Sequence, residues 1–125
     1  AWLGGFNNLS YIEAEYDKLP EIISTFDVAI LPFFGKHKNT VPIELFQYLA
    51  GGKNVVASDM PNLPVCEAIF RSKSTSEAIE HIKQILSGNF SEKNMARARS
   101  VALKHDWKEI AKELIQDKYN YCFEE

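Results

Sequence analysis

The residues best placed to do chemistry lie in one stretch, Asn39 to Tyr48 (NTVPIELFQY). Ile43, Leu45, Phe46, Leu49 and Ala50 make Pro42–Ala50 too apolar for a surface helix and too long for a hairpin turn. Pro42 suits its first turn, where a missing N–H costs nothing. The N-terminus of such a helix offers free N–H groups and the positive end of the dipole, so it holds an anion without a basic side chain. Every helix has such an end, and its placement therefore decides its meaning. Glu44, Gln47 and Tyr48 are the polar members of this helix, and spacings of three and four put them on one face. For Glu44 and Tyr48 that face reads as a solvated stripe. His37, between Lys36 and Lys38, belongs to a local basic patch, and a lone loop histidine is more often exposed than catalytic. His81 and His105 read as surface or packing residues. Asp27 and Asp59 have no partner at metal-ligand spacing. Cys66 and Cys122 are too few and too unpatterned for a zinc site or a disulfide framework, and read as ordinary thiols of a reducing compartment.

The neighbouring elements give that helix its setting. Asp27–Phe33 is an almost unbroken apolar run without period-two alternation, as expected of a parallel strand covered on both faces. Val55–Ala57, introduced by Asn54, is a shorter run of the same kind, so the helix between them is the crossover of a β-α-β unit. Asn39 or Thr40 supplies the capping oxygen in this reading, and Gly51-Gly52 a left-handed stop. Ligands of open parallel sheets bind beyond the carboxyl ends of the strands. That puts the site between the loop after Phe33 and the turn Ser58-Asp59-Met60-Pro61.

Upstream, Asn7–Glu15 reads as loop. Leu19, Ile22, Ile23 and Phe26 recur at helical spacing, with Pro20 early, and predict a short helix over 18–25. Downstream, Ala68-Ile69-Phe70 is a candidate third strand. Ser74 and Glu77 form a capping box ahead of a stripe of Ile79, Ile82 and Leu86, which Gly88 ends. A second helix from Ser91 carries Met95, Ala98 and Ala102 on one face, with Arg97, Arg99 and Lys104 solvated. Asp106 caps a third, with Glu109 three residues on. Trp107, Ile110, Ala111 and Leu114 are expected to face inward along it, ahead of an aromatic tail of Tyr119, Tyr121 and Phe123. The expected fold is α/β: a Rossmann-like parallel sheet flanked by helices, ending in two to three α-helices.

With 125 residues, 46% of them hydrophobic and 12% aromatic, the chain suits one globular domain, 1–125, with a real core. A net charge of -3 argues against a nucleic-acid surface, which needs a clustered basic face. No apolar stretch approaches the roughly 20 residues that span a bilayer.

The segment VPIELFQYLAGGKNVVASDMP resembles the C-terminal, nucleotide-sugar donor-binding domain of GT-B fold glycosyltransferases. The likeness is closest to the bacterial group 1, family 4-like enzymes that read P-x-K-L-F-E-Y-L-A-x-G-K-P-V-V-A-S. LGGFNN followed by YDKLPEIISTFDVAILPF resembles the family's approach to that block, and KHDWKEIAKEL its Trp-containing final helix, so the likeness covers nearly all of the chain. It implies transfer of a sugar from a UDP- or GDP-linked donor to an acceptor hydroxyl in bacterial surface polysaccharide synthesis. It also implies a cytoplasmic enzyme, at the inner face of the cell membrane through its parent, needing no metal or other cofactor.

The resemblance carries the pyrophosphate to the backbone of Thr40 and Val41, and the ribose hydroxyls to Gln47. It places the nucleotide base near Gly5 and Phe6, the first for close backbone approach and the second as a cover for the base. Asn39 and Gln47 stand, eight positions apart, where many members have two glutamates, near the donor sugar and on the ribose. An amide hydrogen-bonds a hydroxyl but carries no charge, and Glu44 occupies the usual lysine position. No catalytic residue is assigned. The resemblance further implies that the chain is the C-terminal piece of a longer one whose N-terminal domain binds the acceptor, and that the piece alone is inactive. The lost carboxylates motivate a second reading, a noncatalytic docking or accessory domain fused to another sugar-nucleotide enzyme. A third, a receiver-like doubly wound module, lacks the acidic cluster that phosphoacceptor chemistry requires.

Overall fold

The computed structural model describes residues 6–32, 41–88 and 92–122, with residues 117–122 as backbone alone. A 3-10 turn at Tyr16–Lys18 leads into α1 (Leu19–Ser24), followed by β1 (Ala29–Leu31), α2 (Ile43–Ala50), β2 (Val55–Ser58), β3 (Ile69–Ser72), α3 (Thr75–Leu86), α4 (Glu92–Lys104) and α5 (Trp107–Cys122). The strands form one parallel sheet in the order β1-β2-β3. Its register pairs Ala29 with Val55, Leu31 with Ala57, Val55 with Ile69 and Ala57 with Arg71. The fold is thus the expected α/β, Rossmann-like parallel sheet flanked by helices, with three helices after the last strand.

Strand periodicity divides the core into two layers. Ala29, Leu31, Val55, Ala57 and Ile69 share one face, and they cluster with Leu45 and Leu49 of α2 and Ala98 of α4. Leu45 and Leu49, four residues apart, are wholly buried and fix which side of α2 meets the sheet. The opposite face carries Ile30, Val56 and Phe70, and α3 packs there against β2 and β3. On this face Ser72 Oγ lies 2.8 Å from His81 Nδ1, and the Phe70 and His81 rings are 5.6 Å apart. β1 is therefore not covered on both faces. It is an edge strand of the described sheet, on the side away from α3, and Ile30 is 47% exposed.

The local signals hold where they rest on backbone chemistry. Gly52 takes φ +72° after α2 and Gly88 φ +81° after α3, the left-handed stops expected of glycine. A Cβ on Gly52 would also lie 3.1 Å from the Arg99 guanidinium. At Ser74 the hydroxyl accepts from Glu77 N (3.2 Å), while the Glu77 carboxylate accepts from Lys73 N (2.7 Å), one residue ahead of the usual capping-box partner. Asp106 Oδ1 accepts from Lys108 N (3.0 Å) and caps α5.

Four further expectations are corrected. Pro42 is the N-cap residue of α2 rather than part of its first turn, with φ -66° and ψ 141° and no side-chain cap bond; Asn39 and Thr40 lie outside the described residues. Tyr48 is not a solvated stripe residue, because it packs half-buried against the core with its ring 6.1 Å from that of Phe26. On α3 the inward residues are Ile85, with Ala78, His81 and Ile82 half-buried, whereas Ile79 and Leu86 are exposed. The His81 contacts to Ser72 and Phe70 turn the helix to present that neighbouring face. Last, α5 does not bury its stripe: Trp107 is 79% exposed, Ala111 and Leu114 are exposed, and only Ile110 is half-buried. α5 leaves α4 at the His105–Asp106 elbow, and among the described residues its main packing is against α4.

Candidate functional site

α2 descends from the carboxyl ends of the strands towards their amino ends, and its outer side, opposite Leu45 and Leu49, carries Ile43, Gln47 and Ala50. Gln47 is half-buried there and forms a ridge between two clefts. The first, about 280 Å³, lies between α1 and α2 and is walled by Tyr16, Leu19, Pro20, Ile23, Ala50 and Gly51. Ile23 fixes this approach of α1, since a Cβ on Gly51 would meet its Cγ2 at 2.7 Å. Lys53 Nζ donates to Ser24 O (3.0 Å) and ties the end of α1 to the turn before β2. The second cleft, about 460 Å³, lies between α2 and the α4–α5 elbow, with Phe46, Arg99, Leu103, His105 and Asp106 among its walls. Phe46 and His105 stack with ring centroids 4.7 Å apart, and His105 Nδ1 is 2.9 Å from Val101 O.

Of the expected site residues, Gly5, Asn39 and Thr40 lie outside the described residues, as do Phe33 and His37. Val41 is half-buried and packs on the core next to the α2 N-terminus. Leu45 N turns back to Pro42 O (3.1 Å), and the amides of Ile43 and Glu44 precede that first bond. Gln47 lies four residues beyond Ile43, or about 6 Å along the helix axis, so amide end and side chain are within reach of one ligand. Phe6 is exposed and lines neither cleft beside Gln47. Val41 faces the core and, like Phe6, lines neither cleft, so of the expected site residues that are described Gln47 alone stands in the cleft walls.

The turn after β2 is organised by a residue that the sequence reading passed over. Arg71 donates to Met60 O (3.1 Å) and Leu63 O (2.6 Å), and its guanidinium stands 3.5 Å from Asp59 Oδ1. Asp59 N in turn donates to Ser72 O (3.0 Å). One side chain thus holds the segment that borders the strand ends, through carbonyls that would otherwise need water. The available signal was an arginine directly after the apolar Ala68-Ile69-Phe70 run, where a half-buried stem with a charged head needs partners. Tyr16, Arg99 and the Phe46–His105 pair were also missed as cleft residues, because all of them come together only in three dimensions.

Among the described residues no three of His, Cys, Asp or Glu come together as metal ligands, and no helix is long and apolar enough to cross a membrane. Tyr48 is the titratable group beside this site whose pKa departs from its ordinary value: burial, then the Glu44 charge, push it upward. Comparison with family models, with curated proteins and with solved structures finds no match to this chain.

Proposed function

We propose that the chain is the sugar-nucleotide donor-binding domain of a GT-B type glycosyltransferase. Its reaction is transfer of a sugar from a UDP- or GDP-linked donor to an acceptor hydroxyl in bacterial surface polysaccharide synthesis, in the cytoplasm at the inner face of the membrane. The observation that carries the reading is α2 itself. It crosses between two adjacent parallel strands, starts at their carboxyl ends, and sets Gln47 on a ridge with a cleft on either side. In this reading the backbone of Thr40 and Val41, with the free amides of Ile43 and Glu44 beside it, receives the diphosphate, stabilising it as it leaves, and Gln47 meets the ribose. The acceptor and any general base belong to a domain outside these residues. Gln47, an amide where a carboxylate is usual, also favours a second reading, a docking domain that keeps the fold without turnover.

Titration of the labelled chain with UDP and GDP, followed by amide chemical shifts, separates the two. The enzyme reading expects binding on the order of 1 mM, with shifts at Val41, Ile43, Glu44 and Gln47, and tighter binding in Gln47→Glu, because a charge-assisted hydrogen bond to a hydroxyl is the stronger one. Flat spectra at several millimolar nucleotide in both proteins favour the docking domain.

A further inference from the structure

The cleft between α2 and the α4–α5 elbow continues into a third depression along α4 and α5, and the two share Arg99, Leu103 and Asp106. The third adds Lys104 and Lys108 to its walls. Arg99, Lys104 and Lys108 have no ion-pair partner among the described residues. The carboxylates nearby are engaged: Asp106 caps α5 through Lys108 N, and Glu109 holds Lys112 at 2.6 Å. In a chain of net charge -3 this elbow is a local concentration of unpaired cations. The Arg99 guanidinium lies over Gly52, at the C-terminus of α2, where a cation suits the helix dipole. It donates no hydrogen bond there, so its planar fork remains available for a bidentate acceptor. Beside it the stacked Phe46–His105 pair gives a flat wall, and Leu103, 66% exposed, gives an apolar one.

We propose that these joined clefts bind a phosphate-bearing ligand, with its phosphate on Arg99, Lys104 and Lys108 and its carbon skeleton against Phe46, His105 and Leu103. A soluble phosphorylated molecule and a phospholipid headgroup share that chemistry. The exposed Trp107 next to the cations gives the lipid source its own apolar contact. Ile43 and Gln47 line part of the same cleft, but its cations lie on α4 and α5, so pyrophosphate shifts at Arg99, Lys104 and Lys108 without shifts at Val41, Ile43 and Glu44 tell this site from the donor site.

The test uses two probes on the whole chain: inorganic pyrophosphate, read by amide shifts, and phosphatidylcholine vesicles with and without phosphatidylglycerol, read by co-sedimentation. A soluble ligand gives pyrophosphate shifts at Arg99, Leu103, Lys104 and Lys108. A lipid source gives sedimentation with the anionic vesicles alone. In either case Arg99→Gln weakens binding about tenfold or more, the size of a lost charge-assisted pair. Arg97→Gln removes the same charge from a residue paired with Glu67 and changes binding less than about twofold. The proposal is overturned if neither probe binds at about ten times the 1 mM scale of a weak site. It is equally overturned if both arginine variants lose binding alike, which would mark diffuse charge instead of a site.

Discussion

Replacing Leu49 by alanine tests whether α2 is clamped to the sheet as its burial indicates. Leu49 is fully buried against the face that carries Ala29, Leu31, Val55 and Ala57. The change deletes three side-chain carbons from a packed interior. Each buried methylene-sized group contributes about 0.8 kcal/mol by transfer alone, so transfer accounts for roughly 2.4 kcal/mol. The cavity left behind adds to this, and Leu→Ala changes in closed cores cost about 2.7–5 kcal/mol. The rigid sheet on one side and α4 on the other, with Ala98 also fully buried, leave little room for collapse. We therefore expect about 3–4 kcal/mol, a large fraction of the 5–15 kcal/mol typical of a domain. Urea unfolding monitored by circular dichroism measures it, provided the m-value is unchanged. Ile43→Ala is the matched control on the same helix, because Ile43 is 65% exposed and should cost no more than about 0.5 kcal/mol. A Leu49→Ala cost below about 1 kcal/mol, or one equal to that of Ile43→Ala, would refute the placement of α2 over the sheet.

Trp107→Ala should change stability by no more than about 0.5 kcal/mol, as at other surface positions; a loss of 3 kcal/mol or more by the same unfolding assay would place α5 against a surface that the structure does not give it. Gly52→Ala should cost about 1–2 kcal/mol, because alanine at φ +72° is strained and its Cβ would displace Arg99, and it should weaken pyrophosphate binding as well; unchanged stability and binding would count against both. Arg71→Ala should speed amide exchange in residues 59–63 before it affects β2, since it frees the carbonyls of Met60 and Leu63; uniform exchange across the sheet would argue that Arg71 only supports the core. Tyr48 has its pKa raised by folding, so the unfolded chain loses this proton first as pH rises; the stability linked to it is complete below the ordinary tyrosine value of 10.0 and falls above it. Tyr48→Phe should reduce that alkaline loss, as thermal melts between about pH 9 and 11 would report.

Much of this architecture was legible because the signals were local and redundant. The apolar run at Asp27–Phe33, the apolar Pro42–Ala50 helix and the Gly51-Gly52 stop each point to the same β-α-β unit, and β1 and β2 do lie adjacent and parallel. The capping box at Ser74 likewise needs only backbone amides three residues away. Burial is different, because it depends on what a face meets. Ile79, Ile82 and Leu86 satisfy helical spacing, yet α3 settles one residue around, where His81 reaches Ser72. Periodicity defines a stripe to within about a residue; a specific hydrogen bond in the neighbouring layer chooses among the options.

The same distinction governs the candidate site. The place of Gln47 on α2 was legible because it belongs to that helix's own run, whereas the walls around it come from four separate elements. Tyr16 arrives from the turn before α1, Ile23 from α1, Arg99 from α4 and His105 from the elbow. Nothing in the spacing of residues 16, 47 and 99 announces their meeting; it follows from α4 packing on α2, driven by Ala98 against the core. α5 fails for the converse reason. Trp107, Ile110, Ala111 and Leu114 have all the periodicity of a buried helix, and the face they form would lose considerable apolar area on meeting a partner. Amphipathicity states that a face is able to be buried; only a second surface buries it, and among the described residues the main packing of α5 is against α4.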